Sequence, residues 1–215
     1  MLPYEKERVA RILTGLLEKG HFVNTAGTHG DVYINKRLLS RRREEFRFLA
    51  DRIANQIAIF GLQGVVVPAR GAIPLGRLVV SRLSLLASRP VPLIIARKSK
   101  HGFSISPRDR AKLAGKMRTA VVEDVINSGS STRKVVEIAR EAGADILTVA
   151  CLWNRGTASA CDFGNIFKFI PLRDERLNCW TEEECPLCPD VPIREDLGHG
   201  RAFLEQKNER LRLRA

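Results

Sequence analysis

Four short apolar runs, separated by helical periodicity or polar sequence, constrain this chain more than any other feature. Gly64-Val65-Val66-Val67-Pro68 and Pro92-Leu93-Ile94-Ile95-Ala96 are continuous runs, the mark of strands buried on both faces. The stretches 118–123 and 145–153 read as two more strands. Helical spacing of apolar residues predicts helices from about Pro74 to Leu86 and over 131–142, with Gly143 as the stop. Strands alternating with helices imply right-handed crossovers and a parallel sheet flanked by helices, an α/β fold. Ligands bind such sheets beyond the carboxyl ends of the strands. The loops after Val67, Ala96, Glu123 and Leu152 are therefore expected to face one crevice.

The flanks are less regular. Val9, Ile12, Leu13, Leu16 and Leu17 predict an amphipathic helix over 4–19 that stops at Gly20, and 31–35 reads as a short strand. Phe46, Leu49, Ile53, Ile57 and Phe60 predict a helix over 44–60. Beyond about residue 160 cysteines, prolines and charges crowd together. The expected organisation is an N-terminal helix and hood over 1–40, a core over 41–160 and an extension over 161–215. The N-terminus lacks the apolar core of a signal peptide, and no run approaches the ~20 apolar residues of a membrane span, so a cytoplasmic protein is expected. Five cysteines, an odd count, argue against a disulfide framework. The net charge of +12 invites a nucleic-acid reading, but aromatics are only 6%, so stacking platforms are scarce and a nucleic-acid partner is not expected. Part of the charge is instead assigned to an anionic substrate.

The chemistry concentrates in Val121-Val122-Glu123-Asp124-Val125-Ile126-Asn127-Ser128-Gly129-Ser130-Ser131-Thr132. A strand that only builds a core has no use for two carboxylates at its end. Adjacent carboxylates there can accept hydrogen bonds from vicinal hydroxyls, as on a ribose. Gly129 permits close backbone approach, and a helix N-terminus with Ser128, Ser130 and Ser131 offers donors to a phosphate dianion. Diol and phosphate recognition in one stretch fit a ribose 5-phosphate.

That stretch resembles the phosphoribosyl pyrophosphate (PRPP) motif of type I phosphoribosyltransferases, with Glu123 where many members have Asp. "VVVPARGAIPLG" (65–76) resembles the pyrophosphate-contacting loop of orotate phosphoribosyltransferases, with Arg70 as the nearby cation. "ARKSKHG" (96–102) resembles the start of the family's mobile catalytic loop, and "CLWNRG" (151–156) the strand end that presents an Arg to the base. The resemblance implies a type I phosphoribosyltransferase fold and transfer of ribose 5-phosphate from PRPP to a base, orotate being the leading reading. It implies PRPP contacts from Arg70, Arg97, Lys98, Lys100, His101, Glu123, Asp124, Val125, Ile126, Asn127, Ser128, Gly129, Ser130 and Ser131. Lys100, His101 and Asp124 take the catalytic roles, and Tyr33, Asn127 and Arg155 face the base. Mg²⁺ with PRPP, and a homodimer that shares the catalytic loop, are implied as well. A loop as cationic as 97–118, with eight Lys or Arg and one Asp, can also close over pyrophosphate on general grounds. Thr25 stands where orotate enzymes carry a Lys, so another base is the alternative acceptor. A PRPP-sensing regulator that binds nucleic acid is the alternative outside enzymes.

Cys179, Cys185 and Cys188 form a separate pattern. Cys185-Pro186-Leu187-Cys188 has the spacing by which two thiolates share one tetrahedral zinc ion. Cys161, Cys151 and His199 are the candidates for a fourth ligand. A redox pair or free thiols remain open beside zinc.

Overall fold

The computed structural model describes residues 1–99 and 102–212, the side chain of Leu211 excepted. In chain order the elements are α1 (Pro3–Thr14), β1 (Leu17–Val23), β2 (His29–Ile34), α2 (Arg37–Arg41), α3 (Arg43–Ile57), β3 (Gly64–Pro68), α4 (Ile73–Leu86), β4 (Leu93–Ser99), β5 (Gly102–Ser104), α5 (Pro107–Leu113), β6 (Met117–Ile126), α6 (Ser130–Glu141), β7 (Ala144–Asn154), β8 (Lys168–Asp174) and α7 (Gly200–Arg212). They fall into two compact units, residues 1–11 with 42–176 and residues 12–41 with 177–215.

The first unit is built on a six-stranded sheet of order β5-β4-β3-β6-β7-β8. β4, β3, β6, β7 and β8 are mutually parallel, and β5 turns back antiparallel on β4. The run 64–68 is buried on both faces as its composition demands, but burial alternates along 93–96, with Ile94 and Ala96 buried and Leu93 and Ile95 half-buried. Val65, Val66 and Val67 are inaccessible, as are Val121, Val122, Val149 and Ala150. α6 closes a core of Val135, Val136 and Ala139 against Ile94, Val121 and Val149. The chain runs from β3 outward to β4 and then returns to the other side of β3 as β6. The order therefore reverses between β3 and β6, and that is where an open parallel sheet leaves a crevice at its carboxyl ends.

The second unit holds an antiparallel hairpin, β1 with β2, and the chain from Leu177 onward. The hairpin has a bulge between Lys19 and Phe22. His21, Phe22 and Val23 are buried in succession, a pattern that an unbroken period of two does not allow.

Three expectations are corrected. The helix over 4–19 ends at Thr14, because Leu17–Lys19 pair with Val32–Ile34 instead. The apolar spacing of Leu16 and Leu17 suits either period. The polar stretch 97–117 carries β5 and α5, whose Ser106 cap and Pro107 start are local signals. The extension from residue 161 first adds edge strand β8 to the sheet, and the chain leaves that unit only after Arg176. No described helix is long and apolar enough to cross a membrane.

Candidate functional site

β6 does not stop at Glu123. It continues to Ile126, pairing Glu123 with Cys151, Val125 with Trp153 and Ile126 with Asn154. Burial alternates along this end: Glu123 and Val125 are half-buried, while Asp124 is 7% and Ile126 2% exposed. Each carboxylate braces the backbone beyond it. Glu123 Oε1 accepts from Asp124 N at 3.0 Å, and Asp124 Oδ1 accepts from Val125 N at 2.6 Å. Their charge reaches across the strand pair. Burial pushes the Cys151 thiol well up, and the Glu123, Asp174 and Asp124 carboxylates push it further. Cys151 is thus a neutral core group in the sheet.

The chain then bends at 127–129 and enters α6. Gly129 has φ +74°, in the left-handed region that favours glycine, and its carbonyl accepts from Arg133 N at 2.8 Å. A Cβ at Gly129 would stand 3.1 Å from the Phe163 ring. Asn127, Ser128, Ser130 and Ser131 are exposed around this turn, and Ser128 Oγ donates to Ser130 Oγ at 3.3 Å. Ile126 turns its side chain into the core, so its contribution to any ligand is through the backbone.

The loop after β7 packs directly on this turn. Arg155 N donates to Ile126 O at 2.8 Å, and a Cβ on Gly156 would lie 2.5 Å from the Asn127 carbonyl oxygen. Asn154 Nδ2 donates to Ala158 O and to Asp174 Oδ1, at 2.8 and 2.9 Å, which fixes the strand end. Arg155 is only 7% exposed.

On the other side of the reversal, the turn after β3 presents exposed Arg70. Val66 pairs with Val121, so Arg70, just after β3, and Asp124, near the end of β6, lie toward the carboxyl ends of strands that run side by side. Arg97 and Lys98 are exposed at the end of β4, paired with Ser104 and Phe103 of β5. Lys100 and His101 lie outside the described residues. The sheet therefore gathers Arg70, Arg97, Lys98, Glu123, Asp124, the 127–131 turn and Arg155 at one edge of the first unit.

Tyr33 belongs to the second unit, where its ring lies 5.5 Å from that of Phe22. Thr25 Oγ1 is 3.1 Å from His199 Nε2. Cys185 and Cys188 come together there with His21 and His29, and the four donor atoms lie within 4.8 Å of one another. Cys179 is not in this group; its thiol donates to Thr28 Oγ1 at 3.1 Å. Nor are Cys151, Cys161 or His199. His21 and His29 were not legible as partners of the CxxC pair. The one available signal was two histidines in a short hairpin, with only four histidines in the chain.

No family model matches the sequence. Curated relatives do. An orotate phosphoribosyltransferase of Thermotoga petrophila is 31% identical over 178 residues, covering 81% of this chain and 88% of the relative. Among solved structures, orotate phosphoribosyltransferase from Aeropyrum pernix aligns with TM-score 0.60 at 23% identity, covering 77% of this chain and 93% of that one. Adenine phosphoribosyltransferase from Thermoanaerobacter pseudethanolicus aligns with TM-score 0.62 at 10% identity, covering 77% and 99%. At these identities the structural likeness shows the type I phosphoribosyltransferase fold alone.

Proposed function

We infer, from membership of the orotate phosphoribosyltransferase family to which this chain belongs, that it transfers the phosphoribosyl group of PRPP to orotate. The products are orotidine 5′-phosphate and pyrophosphate. The observation that carries the reading is the acid pair Glu123–Asp124 running through Gly129 into the N-terminus of α6, beside Arg70 at the strand-order reversal.

In this reading a ring nitrogen of the base attacks C1 of the ribose. The C1–oxygen bond breaks with inversion, and its electron pair leaves with pyrophosphate through an oxocarbenium-like transition state. Glu123 and Asp124 accept hydrogen bonds from the ribose hydroxyls. The backbone from Val125 to Ser131 and the hydroxyls of Ser128, Ser130 and Ser131 hold the 5-phosphate at the positive end of α6. Arg70, Arg97 and Lys98 meet the pyrophosphate. Lys100 and His101, assigned by sequence resemblance, neutralise charge as it develops on the leaving group. Asn127 and Arg155 are the base-facing candidates of the first unit. Carboxylate and phosphate oxygens are the hard donors that suit Mg²⁺, which would enter with PRPP and screen its charge. A cytoplasmic homodimer with a shared catalytic loop completes the reading.

A second acceptor base is favoured by one observation: Thr25, bonded to His199, stands where orotate enzymes carry a Lys. The test is loss of orotate absorbance with PRPP and Mg²⁺. Loss that requires both supports orotate as substrate. No loss, with PRPP binding intact, rejects orotate and calls for a panel of purines and pyrimidines.

A further inference from the structure

We propose that His21, His29, Cys185 and Cys188 bind one structural zinc ion that clamps the chain after Leu177 onto the β1–β2 hairpin. The site is independent of the base transferred and lies wholly within the second unit.

The donor geometry is the first argument. His21 Nε2 is 3.5 Å from Cys185 Sγ and 3.9 Å from Cys188 Sγ. His29 Nδ1 is 3.3 Å from Cys188 Sγ and 2.8 Å from His21 Nε2. Around a tetrahedral zinc, with bonds of about 2.0 Å to nitrogen and 2.3 Å to sulfur, donors stand roughly 3.3–3.8 Å apart. Three of these four separations lie within about 0.1 Å of that range, and the histidine pair is somewhat closer.

The outer shell is the second argument. His21 Nδ1 lies 2.7 Å from Val191 O. A carbonyl only accepts, so Nδ1 carries the proton and Nε2 presents its lone pair to the cluster, as in metal-bound histidines. The His29 ring is held edge-on against Phe203 of α7, with centroids 5.1 Å apart.

The backbone is the third. His21 forms a parallel bridge with Ile193, and His29 an antiparallel bridge with Trp180. Arg194 N donates to His21 O at 2.8 Å, and His29 and Trp180 exchange bonds of 2.8 and 2.9 Å. The bulge in β1 lets both His21 and Phe22 be buried. Cys188 N donates to Cys185 O at 3.3 Å, closing the turn that brings both cysteines beside the histidines, with Cys185 buried and Cys188 at the surface. His21 and His29 are 1% and 0% exposed and Cys185 5%. Burying this many polar groups without a hydrophobic reason is costly unless something ties them together. Four protein ligands leave no open position, which marks a structural rather than a catalytic site, and two imidazoles with two thiolates select zinc among common metals.

The test is metal content of the purified full-length protein by plasma mass spectrometry, after loading with zinc and dialysis. About one zinc per chain is expected for wild type, Cys161→Ser and Cys179→Ser, and below about a tenth for Cys188→Ser and His29→Ala. Should the last two fail to fold, wild type loaded with cobalt decides. A tetrahedral thiolate spectrum supports the site, and an octahedral or absent one overturns it. Zinc-free wild type, or equal zinc loss in Cys179→Ser, also overturns it.

Discussion

The two units differ in how their sites are assembled. In the sheet unit the carboxylates, the glycine turn and the helix N-terminus come from one stretch, 121–132, so the chemistry is written consecutively and the fold merely presents it. In the hairpin unit the four donors come from two places more than 150 residues apart, brought together by two backbone bridges. A site carried by one turn is legible in a sequence. A site made by chain crossing is legible only after the crossing is known.

The largest expected effect falls on the basic segment. Lys100→Ala should lower turnover roughly a hundredfold or more while PRPP still binds, as for removal of a charge-stabilising donor. Steady-state kinetics beside calorimetry checks this, and unchanged turnover removes Lys100 from the chemistry. Next comes the contrast itself. A chelator should lower the melting temperature of wild type, because metal binding is folding free energy for the unit that holds the metal. The Cys188→Ser protein should show no such response. Gly156→Ala follows. Its methyl would press on Asn127, and overpacking of this kind costs about 1–3 kcal/mol. Denaturant melts read the stability, and weaker PRPP binding reads the displaced turn.

The smallest effect concerns α5. Ser106 Oγ accepts from Asp109 N at 3.2 Å, so Ser106→Ala should cost about 1 kcal/mol in a denaturant melt. The Asp109 carboxyl is held below its usual range. Burial opposes this, and hydrogen bonds from Lys112 and Ser106 outweigh it. A lowered carboxyl stabilises the fold above its unfolded pKa and loses that contribution as pH falls through the folded value. The penalty of Ser106→Ala should therefore shrink in acid.

Legibility followed the same division. β3 and β7 are readable because burial on both faces demands unbroken apolar runs, and β4 and β6 because they too carry short apolar runs, although burial alternates along β4. Their parallel direction and the shared crevice follow from connection rules, whereas the strand order comes from the structure. β8 was not, because Lys168–Asp174 is an edge strand with Pro171 and three charged residues. The first three residues of β1, Leu17–Lys19, read as helix because Leu16 and Leu17 continue the spacing of α1, and only pairing with β2 reveals the change of period. β6 was read three residues short, since Asp124 and Asn127 look like a loop until β7 is alongside. The CxxC pair was visible. Its histidines were not, because nothing local marks which loop a distant thiol will meet.

The central claim is that the Glu123–Asp124 pair receives the ribose of PRPP. Calorimetric titration of PRPP with Mg²⁺ into wild type and Asp124→Asn tests it most directly. Asparagine can keep the oxygen that accepts from Val125 N, while it removes the charge and turns the second acceptor oxygen into an amide donor. The account predicts a loss of affinity of at least about tenfold, the cost of a charge-assisted hydrogen bond. Equal affinity in the two proteins would contradict it and move the sugar away from β6.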